Sequence, residues 1–275
     1  MSEYDVDAFD AYEAAGWESV ARTFDEHWSA MSSLAVEALL DAADIGAGMR
    51  VLDVGTGAGH AAGRAVERGA EATGVDVADA MVEIASRHHP GAFFVQASAS
   101  ELPFHDATFD AAVGNIVVPH LGDPDRAVRE FARVLVPGGR LALSTWDDPE
   151  RSPLFDVILG AVHDAEVPPP SGIPDGPSFF RFSDDALFSS LLADAGFRDV
   201  RIGRIDLAVP IASASTLATA LMEGTVRIGA LLRAADDAKR EHLQAALDAR
   251  LERWRQGDAY VVPAVMAIAS GTKPA

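Results

Sequence analysis

The chain has 275 residues, 49% apolar and 23% charged, which is enough for a buried core and wrong for a disordered polymer. Acidic residues number 42 against 22 basic ones, and the net charge of -20 repels nucleic-acid backbones and acidic lipid surfaces. The absence of cysteine excludes disulfides, zinc–thiolate sites, iron–sulfur clusters and thiolate nucleophiles.

The opening Met1-Ser2-Glu3-Tyr4-Asp5 is acidic and lacks the basic region and apolar run of a signal peptide. No uninterrupted apolar stretch of about 18 residues follows, so the expectation is a soluble cytoplasmic protein with no membrane partner. Phe9, Tyr12, Val20, Phe24, Trp28 and Met31 recur at helical spacing, and an Ala-rich run continues to Leu40. Residues 1–45 are therefore expected to form an N-terminal helical cap, broken by Gly46 and Gly48.

From 50 to 145 the pattern alternates. Short β-rich runs at 50–54, 72–75, 92–96, 111–115 and 140–145 are separated by helical stretches near 59–68, 79–87 and 123–135. That cadence predicts right-handed βαβ units and a parallel sheet. The Pro-rich stretch 167–177 reads as a long loop, of the kind that often forms a lid. Helix is expected over 183–195, with Ser183 as N-cap and Gly196 after the last turn. A strand over 200–209, helices over 213–233 and 236–256, and a last strand over 260–269 complete the chain. The fold class is α/β: a Rossmann-like, doubly wound, mostly parallel seven-stranded sheet with an antiparallel last strand and an α-helical lid. Residues 46–275 form its main domain, with lid insertions at about 147–182 and 211–257.

The chemistry-bearing segment is Val51-Leu52-Asp53-Val54-Gly55-Thr56-Gly57-Ala58-Gly59-His60. A buried strand runs into glycines that allow a tight turn and a close backbone approach. A dinucleotide fold needs Gly-x-Gly-x-x-Gly, which sets a pyrophosphate on the helix N-terminus; here the third glycine position is taken by His60. Asp53, two residues before Gly55, would repel a pyrophosphate and suits an amino group. Asp76 follows about 20 residues on, where a carboxylate can take both ribose hydroxyls. A nucleoside with a cationic, amino-acid-like tail and no phosphate fits this set, and S-adenosylmethionine is such a molecule.

These residues, with Glu101-Leu102-Pro103-Phe104, Phe109-Asp110 and Leu135-Val136-Pro137-Gly138-Gly139-Arg140, resemble the successive motifs of class I S-adenosylmethionine-dependent methyltransferases. The resemblance is to the group with the ubiquinone- and menaquinone-biosynthesis enzymes and many small-molecule methyltransferases of bacterial secondary metabolism. It covers residues 45–150 well and the last strand weakly. It implies that Gly55, Thr56, Gly57 and Gly59 line the methionine and ribose portions, with Asp53 near the amino group and Asp76 on the ribose. Val77 and Met81 would cover the adenine, and Asn115 would sit beside the sulfonium. Where the family often carries an acid and an Ala-Glu pair, this chain has Ser98-Ala99-Ser100, leaving the Ser98 hydroxyl and the Ala99 backbone to meet the adenine.

Transfer from a sulfonium needs orientation, exclusion of water and, for a poor nucleophile, a base. His120, just beyond the fourth strand, is the candidate base; its alternative is a structural imidazole. Tyr12, Trp17, Trp146, Phe179, Phe180 and Met222 are candidate acceptor contacts, with ordinary packing as the competing role. Arg181, Glu223 and Arg227 are either acceptor contacts or surface charges. His88-His89 and Asp147-Asp148 read as solvated, and no metal site is expected. The predicted activity is methyl transfer to oxygen or carbon of a small, partly apolar metabolite, by a monomer or a homodimer. A non-methylating enzyme such as a cyclase on the same scaffold, or a sensor protein that binds the same cofactor, are the rivals.

Overall fold

The computed structural model describes residues 4–168 and 172–275. The opening tripeptide Met1-Ser2-Glu3 and, in the Pro-rich stretch, Pro169-Pro170-Ser171 lie outside the described residues. Among those described, no helix is long and apolar enough to cross a membrane.

Three helices precede the sheet: α1 (Val6–His27), α2 (Ser29–Ser32) and α3 (Val36–Ala42). Asp5 caps α1, its side chain accepting from the Ala8 amide at 3.1 Å. The alternating half then runs β1 (Arg50–Val54), α4 (His60–Glu67), β2 (Glu71–Asp76), α5 (Asp79–His88), β3 (Phe93–Gln96), β4 (Phe109–Asn115), α6 (Pro124–Val134) and β5 (Leu135–Trp146). The remainder is α7 (Pro153–Asp164), α8 (Asp185–Asp194), β6 (Arg198–Ile211), α9 (Ala214–Gly224), α10 (Arg227–Ala234), α11 (Asp237–Leu251), β7 (Arg255–Gln256) and β8 (Ala259–Thr272).

The strand order is β3-β2-β1-β4-β5-β8-β6. The first five strands are parallel, and β8 lies antiparallel between β5 and β6. The sheet is the seven-stranded one expected, with a two-residue eighth strand, β7, on the start of β8. Central strands are apolar because both faces are covered: Val51, Leu52 and Val54 on β1 and Leu141 and Leu143 on β5 are fully buried or nearly so. Phe131 and Val134 of α6 fill one face, and Leu39, Leu40 and Ala65 fill the other.

The chain reverses its strand order between β1 and β4, so their carboxyl ends open a crevice. The lid stands over it. There α9 packs on α1, and α11 packs on α7. Leu217, Leu221, Leu232, Leu243, Leu247 and Leu251 are buried in a separate core with Leu154, Phe155 and Ile158.

Three expectations change. Helix α8 is capped by Asp184 rather than Ser183: Asp184 Oδ1 accepts from the amides of Ala186 and Leu187, while the Ser183 hydroxyl turns back to the Phe180 carbonyl. Asp184→Ala should therefore lower stability by about 1 kcal/mol, read as the midpoint of urea unfolding; an unchanged midpoint would contradict the cap. The helix expected over 213–233 breaks after Gly224, because Thr225 is extended and Gly224 is pressed against the Trp28 ring, where a Cβ would come within 2.6 Å. Helix α7 was not expected at all, although Ser152-Pro153 is a helix-start signal.

Candidate functional site

The glycine loop after β1 is shaped by backbone geometry that side chains resist. Gly55 has φ +66°, and a Cβ there would lie 2.5 Å from Val117. Gly59 has φ +85° and sits against Ala85, His89 and Phe94. It therefore packs α4 onto α5 and is not among the residues that line the crevice.

Asp53, the penultimate residue of β1, and Asp76, the last of neighbouring β2, are both buried. Asp76 accepts from the Gly57 amide at 2.9 Å through Oδ2 and from the Ala78 amide at 3.0 Å through Oδ1, so the second aspartate fixes the loop. Burial raises its pKa against those hydrogen bonds. Asp53 Oδ2 accepts from Thr56 Oγ1 at 2.7 Å and from the Ala62 amide at 3.0 Å. Its Oδ1 has no donor among the described residues. Burial pushes the Asp53 carboxyl up to about 6, only partly offset by its two hydrogen bonds.

A cavity of about 390 Å³ extends from this loop into the lid, within the usual ~300–1,000 Å³ range of ligand sites. Asp53, Gly55, Thr56, Gly57, Asp76, Val77, Met81, Ser98, Ala99, Ser100 and Asn115 line it. Gln96 Nε2 donates to the Val77 carbonyl at 2.9 Å and steadies that partly exposed residue. Asn115 is already engaged: its Nδ2 donates to the Ser32 carbonyl at 2.9 Å, and its Oδ1 accepts from Ser144 Oγ at 2.7 Å. Next to it, Ile116 has φ +59°, a strained conformation for a β-branched residue, and faces the cavity.

The lid end is aromatic. Trp17, Trp28, Trp146, Phe155, Phe179 and Phe180 line it with Met31, Ile158, Leu221 and Ile228. Edge-to-face contacts link Trp146 to Phe155 (5.2 Å), Phe155 to Phe180 (5.0 Å) and Phe180 to Phe179 (5.2 Å). Tyr12 and Met222 do not line the cavity. Tyr12 sits on α1 one residue off the inward stripe, and Met222 packs beside the lid core, where its neighbour Leu221 turns inward.

His120 lies where the two ends meet. Its Nδ1 is 2.8 Å from Oε2 of Glu13, a residue 2% exposed. Trp17 Nε1 donates to the same oxygen at 3.1 Å, and Arg227 Nε lies 3.0 Å from Oε1. That last contact is an ion pair without good hydrogen-bond alignment, since Oε1 accepts no hydrogen bond. Burial works to raise the Glu13 pKa, but His120, Arg227 and Trp17 together hold it below the ordinary carboxylate value. Arg227 is not a surface charge. Its Nη2 donates to the Pro119 carbonyl at 2.7 Å, and its guanidinium lies over the Phe9 and Phe179 rings at 5.4 and 5.2 Å.

Glu13 was missed by sequence reasoning. The signal was present: a glutamate four residues after Phe9 and four before Trp17, on the apolar stripe of a helix. Two other readings are corrected. Asp147 is fully buried between Arg151 and Arg204, at 2.7 Å from each, which holds its carboxyl down at about 2. His89 folds back against His60 at 5.7 Å, whereas His88 stays exposed at the helix end as expected, 3.3 Å from Asp25.

The residues present fit S-adenosylmethionine: two buried carboxylates, one with a free oxygen, face a cavity that offers no cation at that end. Comparison with known proteins agrees. A family described as "Methyltransferase domain" matches residues 52–143. A demethylmenaquinone methyltransferase of Clavibacter sepedonicus is 31% identical over 166 residues, covering 56% of this chain and 67% of that protein. A ubiquinone biosynthesis O-methyltransferase of Alkalilimnicola ehrlichii is 36% identical over 142 residues, covering 50% and 57%. The YcgJ protein of Bacillus subtilis shares the fold with a TM-score of 0.56 at 24% identity, over 88% of this chain and 98% of that one. Motif order, crevice and relatives converge: the chain belongs to the class I S-adenosylmethionine-dependent methyltransferases.

Proposed function

We propose that this enzyme transfers the methyl group to an oxygen or carbon of a small, partly apolar metabolite, with His120 receiving the acceptor's proton. The observation that carries the reading is the continuity of one cavity from the aspartate-lined loop to the aromatic chamber, with His120 at the junction.

In this reading Asp53 Oδ1 takes the cofactor's ammonium, and the Gly55–Gly57 backbone runs along its methionine chain. Asp76 takes the ribose hydroxyls, Val77 and Met81 cover the adenine, and the Ser98 hydroxyl and Ala99 backbone meet its edge. The bound sulfonium supplies an already activated methyl group, so the protein's work is alignment, dehydration and proton removal. Trp146, Phe155, Phe179 and Phe180 hold a flat apolar body and keep water out. One relative is named a ubiquinone biosynthesis O-methyltransferase and another a demethylmenaquinone methyltransferase, which supports a small-molecule acceptor.

Incubation with S-adenosylmethionine and a panel of small hydroxylated and enolic compounds tests the reading. S-adenosylhomocysteine should form in step with a product heavier by one methyl group. Product without S-adenosylhomocysteine would point to the cyclase-like alternative and sink the transfer reading.

A further inference from the structure

The charges around the cavity restrict the acceptor. Among the described residues, its charged lining consists of Asp10, Glu13, Asp53, Asp76 and Arg227. The single guanidinium is already committed to Glu13, to the Pro119 carbonyl and to two aromatic faces. No side-chain cation among the described lining residues remains to meet a carboxylate or phosphate on the acceptor, and Asp10 and Asp76, which have no cationic partner there, repel both.

Glu13 orients His120. A carboxylate held ionised can only accept hydrogen bonds. In the neutral imidazole the 2.8 Å contact places the single ring proton on Nδ1, which leaves Nε2 with a lone pair. Nε2 has no partner among the described residues, and the imidazole borders the cavity. The Trp17 and Phe179 rings, edge-to-face at 4.9 and 5.6 Å, fix its plane.

We propose that Glu13 is a positioning residue that presents His120 Nε2 as a proton acceptor, and that the site takes a neutral, weakly acidic hydroxyl carried on a flat apolar ring. This rests on the methyl-transfer reading above and narrows its acceptor. As the oxygen–carbon bond forms and the carbon–sulfur bond breaks, the electron pair stays on sulfur. The hydroxyl proton passes to Nε2 and the imidazolium is stabilised by Glu13, before the proton leaves to solvent. Arg227 balances the Glu13 charge and makes no contact with the acceptor.

The test needs no cofactor turnover. In the 15N NMR spectrum of the wild-type protein at pH 7.5, His120 (assigned by difference with His120→Asn) should carry its proton on Nδ1. A proton on Nε2 overturns the proposal. Second, 4-nitrophenol, whose absorbance separates phenol from phenolate, should bind at least about tenfold tighter than 4-nitrobenzoate. It should also be more ionised when bound than when free at the same pH. Glu13→Gln keeps the size but loses the charge, and should cut the bound phenolate at least fivefold; Glu13→Asp should retain part of it. Equal binding of the benzoate, failure of the phenol to bind, or an unchanged spectrum in a folded Glu13→Gln protein would each overturn the assignment. Loss of the methyl-transfer reading has a separate signature: failure of the wild-type protein to bind S-adenosylmethionine in calorimetry, which leaves the phenol measurements interpretable.

Discussion

Replacing Asp76 with Ala should weaken S-adenosylmethionine binding by roughly 10²–10⁴-fold. Two hydrogen bonds from ribose hydroxyls to a carboxylate are each worth about 1.5–3 kcal/mol. The carboxylate also holds the Gly57 and Ala78 amides, so the variant loses loop order along with ligand contacts. Asp76→Asn separates the two effects. Its amide oxygen can keep one backbone amide while the charge is lost, and it should fall between wild type and Asp76→Ala. Isothermal calorimetry reads the affinities, and circular dichroism verifies the fold. Wild-type affinity in Asp76→Ala would place the ribose elsewhere.

Asp53 is expected to trade stability for binding. Its carboxyl is pushed up to about 6 by burial, from an ordinary 3.8. Below pH 3.8 it is protonated in folded and unfolded chains alike, and it contributes nothing to the pH dependence. Between 3.8 and 6 the folded state holds the proton that the unfolded state has released, so stability falls as pH rises. Above 6 the full penalty of a buried charge is present, about 3 kcal/mol at about 1.4 kcal/mol per pH unit. Asp53→Asn should thus raise free-protein stability by up to about 3 kcal/mol at pH 7.5 and change it little at pH 4. The same variant should lose most of its cofactor affinity, because the ammonium then meets a neutral amide. For the wild type, affinity should drop as pH falls through about 6 and Asp53 takes up a proton. Urea unfolding with and without S-adenosylmethionine, at the two pH values, measures both halves. A destabilised Asp53→Asn at pH 7.5 would contradict the burial argument.

The sheet and its cofactor end were readable in the sequence because their determinants are local. A βαβ unit writes each strand as an apolar run and marks each loop with glycine or aspartate, so β1 to β5 emerge within a few residues of their positions. The lid was harder. Helices α9 and α10 are divided by the contact of Gly224 with Trp28, almost 200 positions away, and no periodicity within 213–233 records that partner. Helix α7 carries Phe155 and Ile158 into the cavity, yet its first turn follows a polar stretch that reads as loop. The same limit applies to charge. Asp147 looks like half of a solvated acidic pair until Arg204, from β6, closes over it. Glu13 shows the limit most sharply. Its helical register was legible, but only the approach of Arg227 and His120 from distant parts of the chain makes an ionised residue tolerable there.

Helix α1 lies outside the sheet, yet it carries the carboxylate that meets His120 Nδ1 at 2.8 Å and a tryptophan that lines the cavity. The same helix also meets the other end of the cavity, where Ala21 packs with Ala58, Ala78 and Met81 and Glu18 accepts from the Ala80 amide at 3.1 Å, so a displacement of this one segment is felt at both ends.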